Sequence, residues 1–157
     1  MTIIDYPCAK LLAYKPPRIA MSLLALASMS QFIFSANWAK LPSLLAVGAA
    51  CSAFGFGIMI RAWWLFKQHE TAICPTATTT TFIVTDIYGL TRNPMYLGMI
   101  LILTGIALLV GSWPFYVVAI LYAVILDHVF CRYEERKLRA QYGFEYAQYT
   151  ARVRRWI

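Results

Sequence analysis

The sequence predicts an all-α polytopic membrane protein with four transmembrane helices, a cytoplasmic connector and a C-terminal amphipathic helix or tail. Three observations carry this. Hydrophobic residues make up 61% of the chain and charged residues only 13%, with a mean hydropathy of +0.61, well outside ordinary soluble composition. The apolar residues gather into four uncharged runs, close to the roughly 20 residues a helix needs to cross a bilayer. The cations fall almost wholly on one side of those runs. At 157 residues, one domain is expected.

Residues 1–18 are a mixed, basic lead-in ending in Pro16-Pro17-Arg18. It does not read as a cleavable signal, because Asp5, Lys10 and two prolines precede the first apolar run. The first span is expected at about residues 19–36. Asn37-Trp38-Ala39-Lys40 follows as an interfacial turn with Trp38 at headgroup level. The second span, about 41–60, carries Gly48, Gly55 and Gly57 with Ala49, Ala50 and Ala53, a small-residue face suited to close helix approach in lipid. Arg61, Trp63, Trp64 and Lys67 end it as snorkelling cations and belt aromatics.

Residues 68–91 form a polar connector, long enough to suggest a functional loop. His69 and Glu70 within it read as solvated loop groups. The third span, about 94–111, starts at Asn93-Pro94, a favoured N-cap residue followed by a proline that fits the first helical position. Gly111-Ser112-Trp113-Pro114 is a tight turn into the fourth span, about 115–131. No helix breaker follows until Gly143. A helix from Phe115 to there would reach roughly 42 Å, beyond a hydrocarbon layer of about 30 Å, so its second half should project from the membrane. The end, from Phe144 to Ile157, is basic and aromatic, suited to lying on the surface.

Lys and Arg fix the orientation. The lead-in has Lys10, Lys15 and Arg18; the first turn has Lys40; the connector and its flanks have Arg61, Lys67 and Arg92; the second turn has none. With both termini cytoplasmic, 13 of the 14 lie inside, a strong positive-inside pattern. In a bacterium this implies the inner or plasma membrane. The net charge of +7 therefore reflects topology and attraction to the lipid bilayer, not nucleic-acid binding. The four cysteines lack C-x-x-C spacing and paired histidines, which argues against a metal site or disulfide framework.

Two clusters could carry chemistry, and the expected topology puts both on the cytoplasmic side. The first is Tyr88 with Arg92-Asn93-Pro94-Met95-Tyr96-Leu97-Gly98. One reading is an interfacial cap, with Arg92 at phosphates and Tyr96 in the aromatic belt. The other is an anion site at a helix start, where unpaired N–H groups and Arg92 are electropositive. The second is Glu134-Glu135 within Arg132-Tyr133-Glu134-Glu135-Arg136-Lys137-Leu138-Arg139. Glu135 with Arg139 and Glu134 with Lys137 have the spacing of helical ion pairs, each contributing about 0.2–0.5 kcal/mol. Glu134 also shares a stripe with Asp127, Cys131 and Leu138, and could hold a ligand ammonium. Asp127 and His128 sit at the inner boundary of the fourth span, where ionisable groups are functional candidates. Neighbours on a helix point about 100° apart, which argues against a simple dyad.

In this order, the two clusters resemble the membrane methyltransferases typified by isoprenylcysteine carboxyl methyltransferase and phosphatidylethanolamine N-methyltransferase. That family opens one span with Arg-(His/Asn)-Pro-x-Tyr-x-Gly. After its last span come Glu-Glu, a Leu, an aromatic-Gly, Glu-Tyr and a basic end. This chain supplies Arg92 to Gly98, Glu134-Glu135, Leu138, Tyr142-Gly143, Glu145-Tyr146, Tyr149 and Val153 to Ile157, so the match covers about residues 70–157.

The resemblance implies S-adenosylmethionine as methyl donor and an amphiphilic or lipidated acceptor bearing a carboxylate, thiol or amine. Cofactor residues carried over are Thr80, Thr81, Phe82, Ile83, Tyr88, Arg92, Asn93, Pro94, Met95, Tyr96, Glu134 and Glu135. Asp127 and His128 are the candidate bases for an amine acceptor, and Arg132 a candidate substrate contact. Two positions depart from the family. Thr85-Asp86-Ile87-Tyr88 has no Gly before its apolar-Tyr pair, and Phe130 stands where the carboxyl methyltransferases carry a substrate-binding Arg. Alternatives are an NADPH-dependent sterol-reductase-like enzyme, whose C-terminal half is related, and a non-enzymatic four-span protein.

Overall fold

The computed structural model describes residues 16–30, 42–69 and 82–157. All regular structure among these residues is helical. Helix α1 spans Pro16–Ser30, α2 Pro42–Gln68, α3 Pro94–Val110 and α4 Trp113–Ile125. A π-helical turn, Leu126–Cys131, joins α4 to α5, Arg132–Arg152. A short 3-10 turn, Asp86–Gly89, precedes α3.

Two helical stretches are long and apolar enough to cross a membrane, Leu44–Gln68 and Trp113–Arg152, and α3 is a shorter apolar helix. The first expected span is a helix from Pro16, with residues 31–36 outside the described residues. The second continues past its expected end at residue 60 through the Arg61–Lys67 belt. The apolar side chains of Phe54, Phe56, Ile120 and Leu121 point outward and are exposed. A surface of that kind fits lipid, where outward apolar groups cost nothing.

The helices alternate in direction. Tyr122 Oη donates to the Pro16 carbonyl at 3.1 Å, while Ala27 packs with Ala107, Phe115 and Val118. So α1 runs antiparallel to α4 and parallel to α3. Helices α2 and α3 form the tightest pair, also antiparallel. A Cβ on Gly55 would lie 2.6 Å from the Gly98 carbonyl oxygen, and one on Gly48 2.9 Å from that of Gly105. Only glycine permits such backbone approach. The small-residue face is therefore real but narrower than expected. Gly48, Ser52 and Gly55 make it; a Cβ on Gly57 would meet nothing within 4 Å outside its own helix backbone, and Ala49, Ala50 and Ala53 are exposed.

Local chemistry sets the breaks. Pro94 occupies the first turn of α3, and Gly111 ends it in the left-handed conformation at φ 66°, its N–H reaching the Ala107 carbonyl at 2.9 Å. Gly143 interrupts α5 at φ 48°, ψ −112°. That kink redirects Tyr146 and Tyr149 inward, where both are buried. Asp86 takes φ 60°, a conformation glycine adopts at least cost. Here the Asp86 carboxylate accepts from its neighbour's amide, Ile87 N, at 2.7 Å and pairs with Arg61, which ties the end of α2 to the turn.

Candidate functional site

The alternating helices bring the end of α2, the start of α3 and the beginning of α5 to one end of the bundle. The two sequence clusters meet there. Tyr96 Oη donates a 2.6 Å hydrogen bond to Glu134 Oε1. Tyr96 lies one turn into α3 and is buried against Phe130 and Cys131. Burial pushes the Glu134 carboxyl up to about 7, opposed by the Tyr96 hydrogen bond and by Lys137, and abetted by Glu135. Tyr88 is buried beside them, its hydroxyl driven well above the usual phenol range by burial first and by the charge of Glu134 second.

Glu135 faces a different set of partners. Arg155 holds it in a bidentate pair, Nε to Oε1 at 2.8 Å and Nη2 to Oε2 at 2.6 Å. Arg92 Nη1 approaches the same Oε1 at 3.3 Å. The hydrogen bond to Glu135 raises the Arg155 guanidinium above its ordinary range, against the effect of burial. Arg155 Nη1 also donates to Asp127 Oδ1 at 3.1 Å, and Trp156 Nε1 reaches the same oxygen at 2.9 Å.

The start of α3 departs from the expected cap. Asn93 makes no side-chain bond to the first-turn amides. Its Nδ2 donates instead to the Arg155 carbonyl at 3.2 Å, an oxygen that also accepts from Thr91 Oγ1 at 2.9 Å. Arg92 N–H donates to the Arg154 carbonyl at 3.0 Å. Residues 153–157 therefore form a strap over the helix start. Arg92 Nε is buried with no protein partner.

The remaining expected residues divide. Thr80 and Thr81 lie outside the described residues. Phe82 stacks on Tyr142 at 4.9 Å between ring centroids and meets Tyr149 edge-on at 5.2 Å. Ile83 packs with Ala62, Leu65 and Tyr88, with Met95 against the same cluster. Tyr149 Oη donates to the Tyr88 carbonyl at 2.6 Å, fixing the 3-10 turn. Pro94 is fully buried. Arg132 is exposed at the start of α5. Asp127 and His128 do approach each other, Nδ1 to Oδ2 at 3.5 Å, in the π-helical turn. Phe130 is fully buried in the core.

A groove of about 550 Å³ opens beside this end, between Leu97 and Ile100 of α3 and Ala123 and Val124 of α4. Asp127 and His128 line it, as do Trp156 and Ile157 of the strap.

Sequence reading missed Thr91 and the roles of Arg155 and Trp156. The basic end was visible, but nothing in its composition says that it folds back onto Glu135.

A family model for phospholipid methyltransferases matches residues 43–145. The chain belongs to the phospholipid methyltransferase family. The match takes in both the Arg92–Gly98 cluster and Glu134-Glu135, whose contact through Tyr96 the geometry independently displays. Membership makes methyl transfer by a membrane enzyme the expected activity. No curated protein and no solved structure matches the chain.

Proposed function

We propose that this protein transfers a methyl group from S-adenosylmethionine to an amphiphilic, lipid-like acceptor at the cytoplasmic membrane face, as a four-span protein with both termini inside. The observation that carries this reading is the Tyr96–Glu134 contact, because it joins an electropositive helix start to an acidic wall.

The residues fit a zwitterionic donor. Arg92 Nε is buried without a protein partner, and Asn93 does not cap the first-turn amides of α3. Together they can hold a carboxylate. Glu134 accepts from Tyr96 on one oxygen and presents charge for an ammonium. Tyr88 and Tyr96 offer ring faces to a sulfonium. When bound, S-adenosylmethionine supplies an activated methyl group, so the chain's own contribution is positioning and exclusion of water.

On the acceptor side, the groove between α3 and α4 is apolar for most of its lining, which suits a hydrocarbon chain entering from the bilayer. A core phenylalanine at position 130 offers no cation to a carboxylate acceptor. An amine acceptor must lose a proton before attack. His128 is exposed in the groove, with Nδ1 turned to Asp127 and to the Val124 carbonyl at 3.2 Å, so Nε2 is the atom to receive it.

Titrating the purified protein with S-adenosylhomocysteine and with NADPH tests the reading. Saturable binding of the first alone supports it. Binding of NADPH alone supports a reductase, and binding of neither supports a non-enzymatic membrane protein.

A further inference from the structure

Arg155 ties three separate elements together. Its guanidinium holds Glu135 on the first turn of α5 and Asp127 on the π-helical turn. Its carbonyl holds Thr91 and Asn93 before α3. Backbone geometry makes this possible, because Val153 leaves α5 in an extended conformation, φ −115° and ψ 128°. The charged groups around the knot are Arg92 from the loop, Asp127 and His128 from the π turn, and Glu135 from α5.

The effect on Asn93 matters most. An Asn directly before a helix normally turns its side-chain oxygen onto the amide of the second or third helical residue. That bond would occupy a donor the helix start could otherwise offer to a ligand. Here the strap carbonyl takes Asn93 Nδ2, and the cap bond is not made.

We propose that Arg155 is a positioning residue for the methyl-donor site: it holds the strap where its carbonyl diverts Asn93 from capping α3, leaving the first-turn amides without that cap. The inference rests on the donor reading above. Arg155 touches neither reacting group; it acts through Asn93 and Glu135. Glu135 is thereby a support for the site rather than one of its donor contacts.

The test is calorimetric titration of the full-length, detergent-solubilised protein with S-adenosylhomocysteine, with thermal unfolding recorded for each variant. Arg155→Ala should weaken binding about tenfold or more, the scale of one lost charge-assisted hydrogen bond. Arg155→Lys, which keeps a cation opposite Glu135, should stay within about threefold of wild type. Asn93→Ser, which keeps a capping oxygen but loses the amide donor to the strap carbonyl, should lose about as much as Arg155→Ala, and the double variant no more than the larger single loss. A merely structural role would lower the melting temperature while leaving the affinity of the folded protein unchanged.

Arg155→Ala binding like wild type overturns the inference, as does a Lys variant as damaged as Ala, or additive losses in the double variant. Should Arg155→Ala fail to fold, Asn93→Ser alone decides: a tenfold loss supports the inference and unchanged affinity overturns it. Wild-type protein that does not bind S-adenosylhomocysteine at all removes the donor reading and this inference with it. Wild type that binds while the variants bind alike removes only this inference.

Discussion

Tyr96 and Glu134 lie 38 residues apart in sequence and meet through a hydrogen bond of 2.6 Å. Each sits one turn or less from the start of its helix, and each belongs to a different motif. Their contact turns two short sequence patterns into one site with a basic and an acidic wall. The neighbouring Glu135 has different partners, Arg155 and Arg92, although the chain presents the two as a pair.

Glu135→Ala should act on stability before it acts on ligand binding. It strands Arg155 and Arg92, which both face this carboxylate. Loss of a charge-assisted pair at a partly buried position costs about 1–3 kcal/mol. Thermal unfolding in detergent should show the drop, and Glu135→Gln, which keeps an acceptor, should recover part of it.

The elevated Glu134 carboxyl gives a pH dependence of definite sign. Its value is about 7 in the folded chain against 4.5 ordinarily. Between those values the folded state keeps a proton that the unfolded state has released, so this group's contribution to stability is full below 4.5 and is lost as pH rises through 7. Cation binding runs the other way, because it needs the ionised carboxylate. S-adenosylhomocysteine affinity should rise by up to about tenfold per pH unit below 7 and level off above it. In Glu134→Gln the profile should be flat over this range.

The glycine seam between α2 and α3 should tolerate no side chain. A Cβ on Gly55 would meet the Gly98 carbonyl and the Leu101 side chain, at 2.6 and 2.8 Å. Gly55→Ala should destabilise by about 1–3 kcal/mol, the usual cost of overpacking. Gly57→Ala, two residues on in open space, should be neutral or slightly stabilising. Melting temperatures of the two variants, compared in one detergent, check this.

At position 86 the left-handed backbone and the Arg61 pair pull in different directions. Asp86→Gly should keep the melting temperature near wild type, because relief of the backbone offsets loss of the ion pair. Asp86→Val should lower it clearly, since a β-branched residue at positive φ is strained. Arg61→Ala in the Gly background should then cost no more than its contact with the Trp64 ring, 4.6 Å from the guanidinium carbon to the ring centroid.

Much of the helical content was legible because uncharged runs of the right length leave few alternatives, and Pro94 and Gly111 mark the ends of α3 by their backbone limits. The two motif clusters were legible too, since residue types and spacing survive without coordinates. Other features depend on tertiary contact. Asn93 looked like a cap because capping is a local preference; the Arg155 carbonyl that competes for it comes from 62 residues away. The π turn that carries Asp127 and His128 has no mark in the residue types of that stretch. The glycine face was visible in outline, but only the partner helix selects Gly48 and Gly55 over Gly57.

The account stands most directly on the affinity of Glu134→Ala for S-adenosylhomocysteine, measured by calorimetry beside wild type at pH 8, where the wild-type carboxylate is ionised. The account predicts saturable binding by wild type and a loss of about tenfold or more in the variant, the scale of one charge-assisted contact to a ligand ammonium, with the fold intact. Equal affinity in the two proteins would contradict it.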